Sequence, residues 1–201
     1  MPFSAMDFRR LRPVLILAGL LSLGGALLLW NAGADIALHR MMRLDADGPW
    51  VRPTLWLTLF GGLKVMGPIA LATAGWLGWR RRGRDALWLV LSVGSGRLAV
   101  EGIKLLVRRP RPPVTDHLDA VSSWSFPSSH SAGTMMTCLA LALLAGGRWP
   151  AVGVALAAAG LVGWSRVALG VHWPSDVLAG WGFGLLWIGL WARQGGPMRS
   201  G

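Results

Sequence analysis

The chain has 201 residues, of which 53% are hydrophobic and only 14% charged, whereas ordinary soluble domains carry about 25% charged residues. That deficit excludes a disordered chain and argues against a water-soluble globule. Lys and Arg number 20 against 9 Asp and Glu, a net charge of +11. These charges fall in short clusters between long apolar runs, which fits a membrane protein with basic loops better than a nucleic-acid-binding face. The one cysteine, Cys138, excludes an internal disulfide and a cysteine-based metal cage, and its apolar surroundings read as small core filler.

Six apolar segments follow in chain order. A spanning helix needs about 20 mostly apolar residues, and residues 13–34 supply a charge-free stretch bounded by Arg12 and Asp35. It is too long and too charge-free for a secretory signal core. The second segment, 53–79, is interrupted by Lys64 and ends at Arg80, Arg81, Arg82 and Arg84. The third, 86–107, carries Arg97, Glu101 and Lys104. The fourth covers 129–147, the fifth 149–164 and the sixth 177–192. The expected fold is therefore all-α, a six-helix transmembrane bundle forming one domain over residues 1–201. Thirteen Trp and no Tyr occur, and Trp30, Trp50, Trp76, Trp79, Trp149, Trp164, Trp173 and Trp191 fall near segment ends, where indoles sit at headgroup level.

With six spans, Arg9, Arg10, Arg12, the four arginines after the second segment, Arg148, Arg193 and Arg199 share one side. Basic loops mark the cytoplasmic side, so both termini are expected there. The opposite side receives the loops 35–52, 108–128 and 165–176, with further arginines of their own.

Charges inside a span cost roughly 2.5–3.5 kcal/mol each and usually face a polar interior. Arg97, Glu101, Lys104 and Arg108 are spaced by four, three and four residues, which places them on one helical stripe. Glu101 has Arg97 and Lys104 at pairing distance along the helix, so a buried ion-pair network is one reading of Arg97 and Glu101. Lys104 reads differently, because the stripe runs on to Arg111 and the outer surface.

Three segments meet on that surface: 104–112 with Lys104 and Arg111, 126–131 with Pro127-Ser128-Ser129-His130, and 165–176 with Ser165, Arg166, His172 and Asp176. Three cations around two histidines suit a multiply charged anion such as phosphate. Ser128 or Ser129 serves as a helix cap, or the free N–H groups there bind phosphate oxygens. His130 is placed to hand a proton to a leaving oxygen. His172 and Asp176, four apart, read either as a nucleophilic imidazole oriented by a carboxylate or as an interface residue beside a helix cap; Arg166 and the other two segments favour the first. No carboxylate cluster has metal-ligand spacing, so no metal or other cofactor is expected, and cations replace the metal in neutralising the phosphoryl group. Asp35, Asp45, Asp47, Asp116 and Asp119 read as dispersed loop residues, His39 as a surface residue and His117 as solvated.

These segments resemble the type 2 phosphatidic acid phosphatase family, whose signatures are K-x6-R-P, P-S-G-H and S-R-x5-H-x3-D. Lys104, Arg111 and Pro112 match the first; Pro127, Ser128 and His130 match the second, with Ser129 in place of glycine; Ser165, Arg166, His172 and Asp176 match the third. The matching block, 104–176, covers about a third of the chain. The resemblance implies a membrane lipid phosphatase whose core bundle is shared with vanadium-dependent haloperoxidases. It implies that His172 is the nucleophile, forming a phosphohistidine, that Asp176 orients it, and that His130 protonates the leaving alkoxide. It implies that Lys104, Arg111, Ser128, Ser129 and Arg166 hold the phosphate. Substrates it suggests are undecaprenyl diphosphate, phosphatidylglycerophosphate and phosphatidic acid, reached from the bilayer at the outer face of an inner membrane. A lipid phosphotransferase, a vanadate-loaded haloperoxidase, or a protein that binds or transports anionic lipid without cleaving it are the alternatives on the same bundle. No nucleic-acid partner is expected.

Overall fold

The structure, a computed structural model, describes residues 8–192; the expected basic residues Arg193 and Arg199 lie outside them. Eight α-helices and one short 3-10 turn follow one another: α1 Phe8–Asn31, α2 Ala34–Met42, α3 Val51–Gly61, α4 Leu63–Trp79, α5 Gly83–Val107, the turn Val114–Asp116, α6 Ser129–Leu144, α7 Trp149–Ala168 and α8 Pro174–Trp191. No strand occurs among the described residues.

Each of the six apolar segments is helical, but the second is broken. Gly62 is extended (φ −68°, ψ 154°) and separates α3 from α4, which are bent by 40°. Length and hydropathy suffice for a membrane span in α1, α5 and α7, and in α3 with α4 taken as one broken span. Helices α6 and α8 do not meet that measure: α6, with 16 residues, is too short, and the first turn of α8, Pro174-Ser175-Asp176, is polar. The segment 35–52, expected as a loop, contains α2. Gly33, at φ 69°, turns the chain out of α1 and restarts it, and the i, i+4 pair Asp35 and His39 is buried on one face of α2. These two are thus not the loop and surface residues expected.

Helix α6 forms the centre, with Met136, Leu139 and Ala140 fully enclosed, and α5, α7 and α8 packed around it. Helix α1 lies along α8. Hydrocarbon gives no hydrophobic drive between helices, so close backbone approach and dispersion must hold them. Gly19 and Gly182 meet backbone to backbone: a Cβ on Gly182 would lie 2.9 Å from the Gly19 carbonyl and 2.9 Å from the Leu23 nitrogen. The outward faces are apolar, with Leu21 and Leu28 on α1, Leu71 on α4, and Leu98 and Leu106 on α5 all exposed. Contiguous exposed apolar surface of this kind does not persist in water, and the molecule is an integral membrane protein. Cys138 packs partly buried against the core, as a filler would.

The α1–α8 seam yields a prediction. Gly182→Val forces a side chain into occupied backbone, and overpacking of this kind costs about 1–3 kcal/mol. Thermal unfolding of the detergent-solubilised protein, followed by Trp fluorescence, will shift down for Gly182→Val. It will stay in place for Gly24→Ala, since nothing lies within 4 Å of that position.

Candidate active site

At one end of the bundle, the last turns of α5 and α7, the first turn of α6, the α3–α4 break, the loop 119–123 and His172 surround a cavity of about 640 Å³. Lys104, Arg111, Ser129, His130, Arg166 and His172 all line it. Asp176 and Ser128 are not among its lining residues.

His172 leaves α7 through a tight turn in which Gly170 takes φ 74°; the loop delivers the imidazole buried, at 2% exposure. Its Nε2 lies 3.0 Å from Arg111 Nη1. A guanidinium only donates, so Nε2 accepts, and the ring proton sits on Nδ1. That nitrogen faces Asp176 Oδ2 at 3.4 Å and the Ser125 hydroxyl at 3.4 Å. The lone pair of Nε2 thus points at the cationic side. Burial first, then the charges of Arg111, Arg166 and Lys104, push the His172 imidazolium well below the ordinary histidine value, so the ring is neutral at pH 7.

Asp176 stands behind the ring. As the third residue of α8, it accepts the Trp173 N–H at 3.0 Å, half of a capping box. It also accepts the Ser125 hydroxyl at 2.5 Å and Arg109 Nη1 at 2.5 Å.

The three cations are each anchored and pre-aimed. Lys104, buried on α5, donates to the Trp124 carbonyl at 2.5 Å. Arg111 donates to the Ser123 carbonyl at 2.7 Å and the Val171 carbonyl at 2.6 Å; burial and the nearby charge of Arg166 lower it to about 10, which leaves it charged at neutral pH. Arg166, 1% exposed, donates to Thr58 Oγ1 at 2.7 Å and Asp119 Oδ2 at 2.6 Å, while its Nε has no partner among the described residues.

Helix α6 opens with Ser128 as its N-cap. The Ser128 hydroxyl accepts the Ser131 N–H at 3.4 Å and the Ser131 hydroxyl at 3.0 Å, and the Ser128 N–H donates to the Asp176 carbonyl at 3.0 Å. The Ser128 side chain thus caps α6 at the α6–α8 contact and does not line the cavity. Ser129 does line the cavity, and its hydroxyl donates to Glu101 Oε1 at 2.7 Å. His130 faces the α3–α4 break: a Cβ on Gly62 would lie 3.5 Å from its Nε2.

The expected pairing of Glu101 with Arg97 or Lys104 does not form among the described residues. Arg97 instead crosses to α6, where Gly133 leaves room for the guanidinium, and donates to the Ser129 carbonyl at 3.2 Å. Lys64 lines the cavity. His117 is half-buried, its ring 3.0 Å from the Pro112 carbonyl.

Sequence reasoning missed the network behind Asp176. Arg108 caps α5 in the left-handed region (φ 49°) and turns the chain so that Arg109 enters the interior. There Arg109 Nη2 meets Asp35 at 2.7 Å, and its guanidinium carbon lies 4.1 Å from the Trp30 ring centre and 5.7 Å from that of Trp173. Asp35 in turn accepts the Ser175 N–H at 2.8 Å and the Ser175 hydroxyl. Ser125 and Asp119 were equally invisible. An arginine in a basic run, one aspartate 74 residues before it and another 67 residues after it carry no local periodicity that links them.

Among the described residues, no three His, Cys, Asp or Glu gather as a metal ion would require. The arrangement offers a polyanion fixed donors, and offers phosphorus a neutral imidazole nitrogen.

The chain is 37% identical over 153 residues to the decaprenylphosphoryl-5-phosphoribose phosphatase of Mycolicibacterium smegmatis, covering 74% of this chain and 81% of that one. It is 31% identical over 162 residues to phosphatidylglycerophosphatase B of Bacillus subtilis, covering 76% and 79%. The crystal structure of a transmembrane PAP2-type phosphatidylglycerolphosphate phosphatase from Bacillus subtilis superposes with a TM-score of 0.76 at 28% identity, covering 90% of this chain and 93% of that one. The profile of the PAP2 superfamily matches residues 85–197, more than half of the chain. The protein belongs to the PAP2 superfamily and is a hydrolase acting on phosphate esters.

Proposed function

We propose that this protein hydrolyses the terminal phosphate of a membrane lipid, a phosphomonoester or a diphosphate, through a phosphohistidine on His172. The observation that carries the reading is the His172 ring. Its Nδ1–H is turned to Asp176 and its Nε2 lone pair to a cavity walled by Lys104, Arg111 and Arg166. Nε2 attacks phosphorus as the bond from phosphorus to the lipid oxygen breaks, and His130, entering the step as the imidazolium, gives its proton to that oxygen and is left neutral. Water then attacks the phosphohistidine, His130 removes its proton, and phosphate departs with Nε2 restored. The Ser129 N–H and the three cations hold the non-bridging oxygens where charge develops, in a site that needs no rearrangement to do so. Named relatives act on a decaprenyl-linked phosphoribose phosphate and on phosphatidylglycerophosphate, and a lipid of this kind is the substrate proposed here.

All six helical segments cross the membrane in this reading, with α3 and α4 as one broken span and the tilted α6 and α8 completed by their neighbours. The arginines at 80–84 sit at the end of the bundle opposite the cavity. The positive-inside rule therefore puts them, and both termini, in the cytoplasm and the site at the outer face. A cysteine at Ala120, in a Cys138→Ala background, will react with a membrane-impermeant maleimide added outside intact cells; protection there and labelling only after permeabilisation reverses the orientation.

His172→Ala will abolish phosphate release while the protein still folds, and an alkaline detergent quench, which preserves the acid-labile P–N bond, will trap phosphoprotein from the wild type and none from His172→Ala. The nucleophile must be neutral. Burial and the cations depress its ionisation, so the neutral form persists as the pH falls. The acid limb of kcat/KM for the wild type will consequently lie below 6.5, the ordinary histidine value. Retained activity in His172→Ala, or an acid limb above 6.5, refutes His172 as attacker.

Arg109 acts through Asp176. Arg109→Gln leaves Asp35 and Asp176 buried without their shared cation, and breaking a buried ion pair costs about 3–5 kcal/mol. Its thermal midpoint and its kcat will both fall, with KM for the lipid nearly unchanged. Arg109→Lys, which keeps the charge and loses the fork, will recover part of each.

A further inference from the structure

One cation of the cavity has no task in the reaction described above. Lys64 lies just after the α3–α4 break and lines the same cavity as His130 and His172. Lys104, Arg111 and Arg166 each hold protein acceptors. Lys64 has no hydrogen-bond or ion-pair partner among the described residues. An ammonium on a span is costly and is retained where it serves a polar path or a ligand.

Its position relative to the reacting bond is informative. Attack by His172 is in line, so the leaving group departs on the far side, where His130 stands. The α3–α4 break closes that side: Gly62, two residues before Lys64, is the backbone that faces His130 Nε2. The chain extension at Gly62 (ψ 154°) brings the start of α4, with Lys64 as its second residue, to the His130 side of the cavity. The charge balance agrees. Lys64, Lys104, Arg111 and Arg166 face two cavity carboxylates, Glu101 and Asp119. Asp119 is committed to Arg166, and Glu101 accepts the Ser129 hydroxyl while sharing α5 with Lys104. The three inner cations suffice for one phosphate, and Lys64 is the positive charge of the cavity left over.

We propose that Lys64 binds a second, uncleaved phosphate carried on the leaving group, so that the enzyme selects lipids with two phosphorus centres, a diphosphate or a phosphomonoester tethered to a phosphodiester, over lipids with one. The proposal rests on the phosphatase reading above, with His130 on the leaving-group side. Diacylglycerol, the leaving group of phosphatidic acid, offers Lys64 nothing, whereas a prenyl phosphate or a phosphodiester offers an anionic oxygen.

The test compares substrates within one enzyme. Full-length wild type, Lys64→Met, Lys64→Arg and His172→Ala are assayed in nonionic detergent on farnesyl diphosphate, phosphatidylglycerophosphate and phosphatidic acid. A charge-assisted hydrogen bond contributes enough for a loss of roughly ten- to a hundredfold. Lys64→Met is expected to lose that much kcat/KM on the first two lipids, to stay within about twofold of wild type on phosphatidic acid, and to be rescued by Lys64→Arg. Inhibition supplies a readout that needs no turnover: Lys64→Met weakens inorganic diphosphate as an inhibitor and leaves orthophosphate unchanged. Equal losses on all three lipids, no loss on any, or parallel weakening of both inorganic ions overturns the subsite. If His172→Ala is dead while Lys64→Met treats the lipids alike, the subsite falls and the phosphatase reading stands. If His172→Ala remains active, the phosphatase reading falls and takes the subsite with it.

Discussion

The carboxylate of Asp176 holds together parts of the molecule that are far apart in sequence. It accepts from the backbone of its own helix start, from the Ser125 hydroxyl in the α5–α6 loop, from Arg109 beyond α5 and from the ring of His172 beyond α7. A buried carboxylate without such donors would take up a proton rather than stay charged. Four donors from three segments offset part of that cost, and the same four fix where each segment ends. The cap of α8, the entry of Arg109 into the interior and the tautomer of His172 are one interaction seen from three sides. Asp35 extends it to α2: through Arg109 and Ser175 it ties the segment after α1 to the first turn of α8.

The membrane sets the terms on which such a cluster exists. Apolar side chains cover the outside of the bundle, so the cations of the site have neither water nor lipid headgroups to solvate them along most of their surface. Backbone carbonyls take that role: Trp124 for Lys104, Ser123 and Val171 for Arg111, Ser129 for Arg97. Carbonyl oxygens neutralise only partially, so the cations stay able to attract a doubly charged phosphate. Full ion pairs would have spent that attraction, and among the described residues that line the cavity only Arg166, with Asp119, is held in one. The helices that carry these groups approach closely because glycines line the α1–α8 seam, which leaves the polar first turns of α6 and α8 side by side at one end.

Ser129, where the related signature has glycine, shows how a departure from a motif is accommodated. Its hydroxyl does not crowd the cavity centre; it turns to Glu101 on α5 and leaves the backbone at the start of α6 facing the site. Glu101, in the helical stripe between Arg97 and Lys104, is thereby occupied by a neutral donor instead of a cation, and Lys104 remains unneutralised by its own helix.

The sequence by itself determined the helical class, the approximate extent of six apolar segments, and the group formed by Lys104, Arg111, His130, Arg166 and His172. Each of these depends on spacing along one helix or one short motif, where period and chemistry are both local. Tertiary structure alone decided the rest. That Ser128 faces α8 rather than the cavity follows from the Asp176 carbonyl it meets. That Arg97 serves Ser129 rather than Glu101 follows from the space left by Gly133 on another helix. The break at Gly62 follows from the need to pack α3 beneath α7 while α4 continues along α5. Above all, Arg109 and Asp35 are 74 residues apart, and no pattern within either segment indicates that a buried guanidinium, stacked on Trp30, will join one carboxylate to another. Spacing along the chain specifies which face of a helix a residue occupies; which other helix that face meets is set by packing, and the contacts of Arg109, Asp35 and Ser175 behind Asp176 are such meetings.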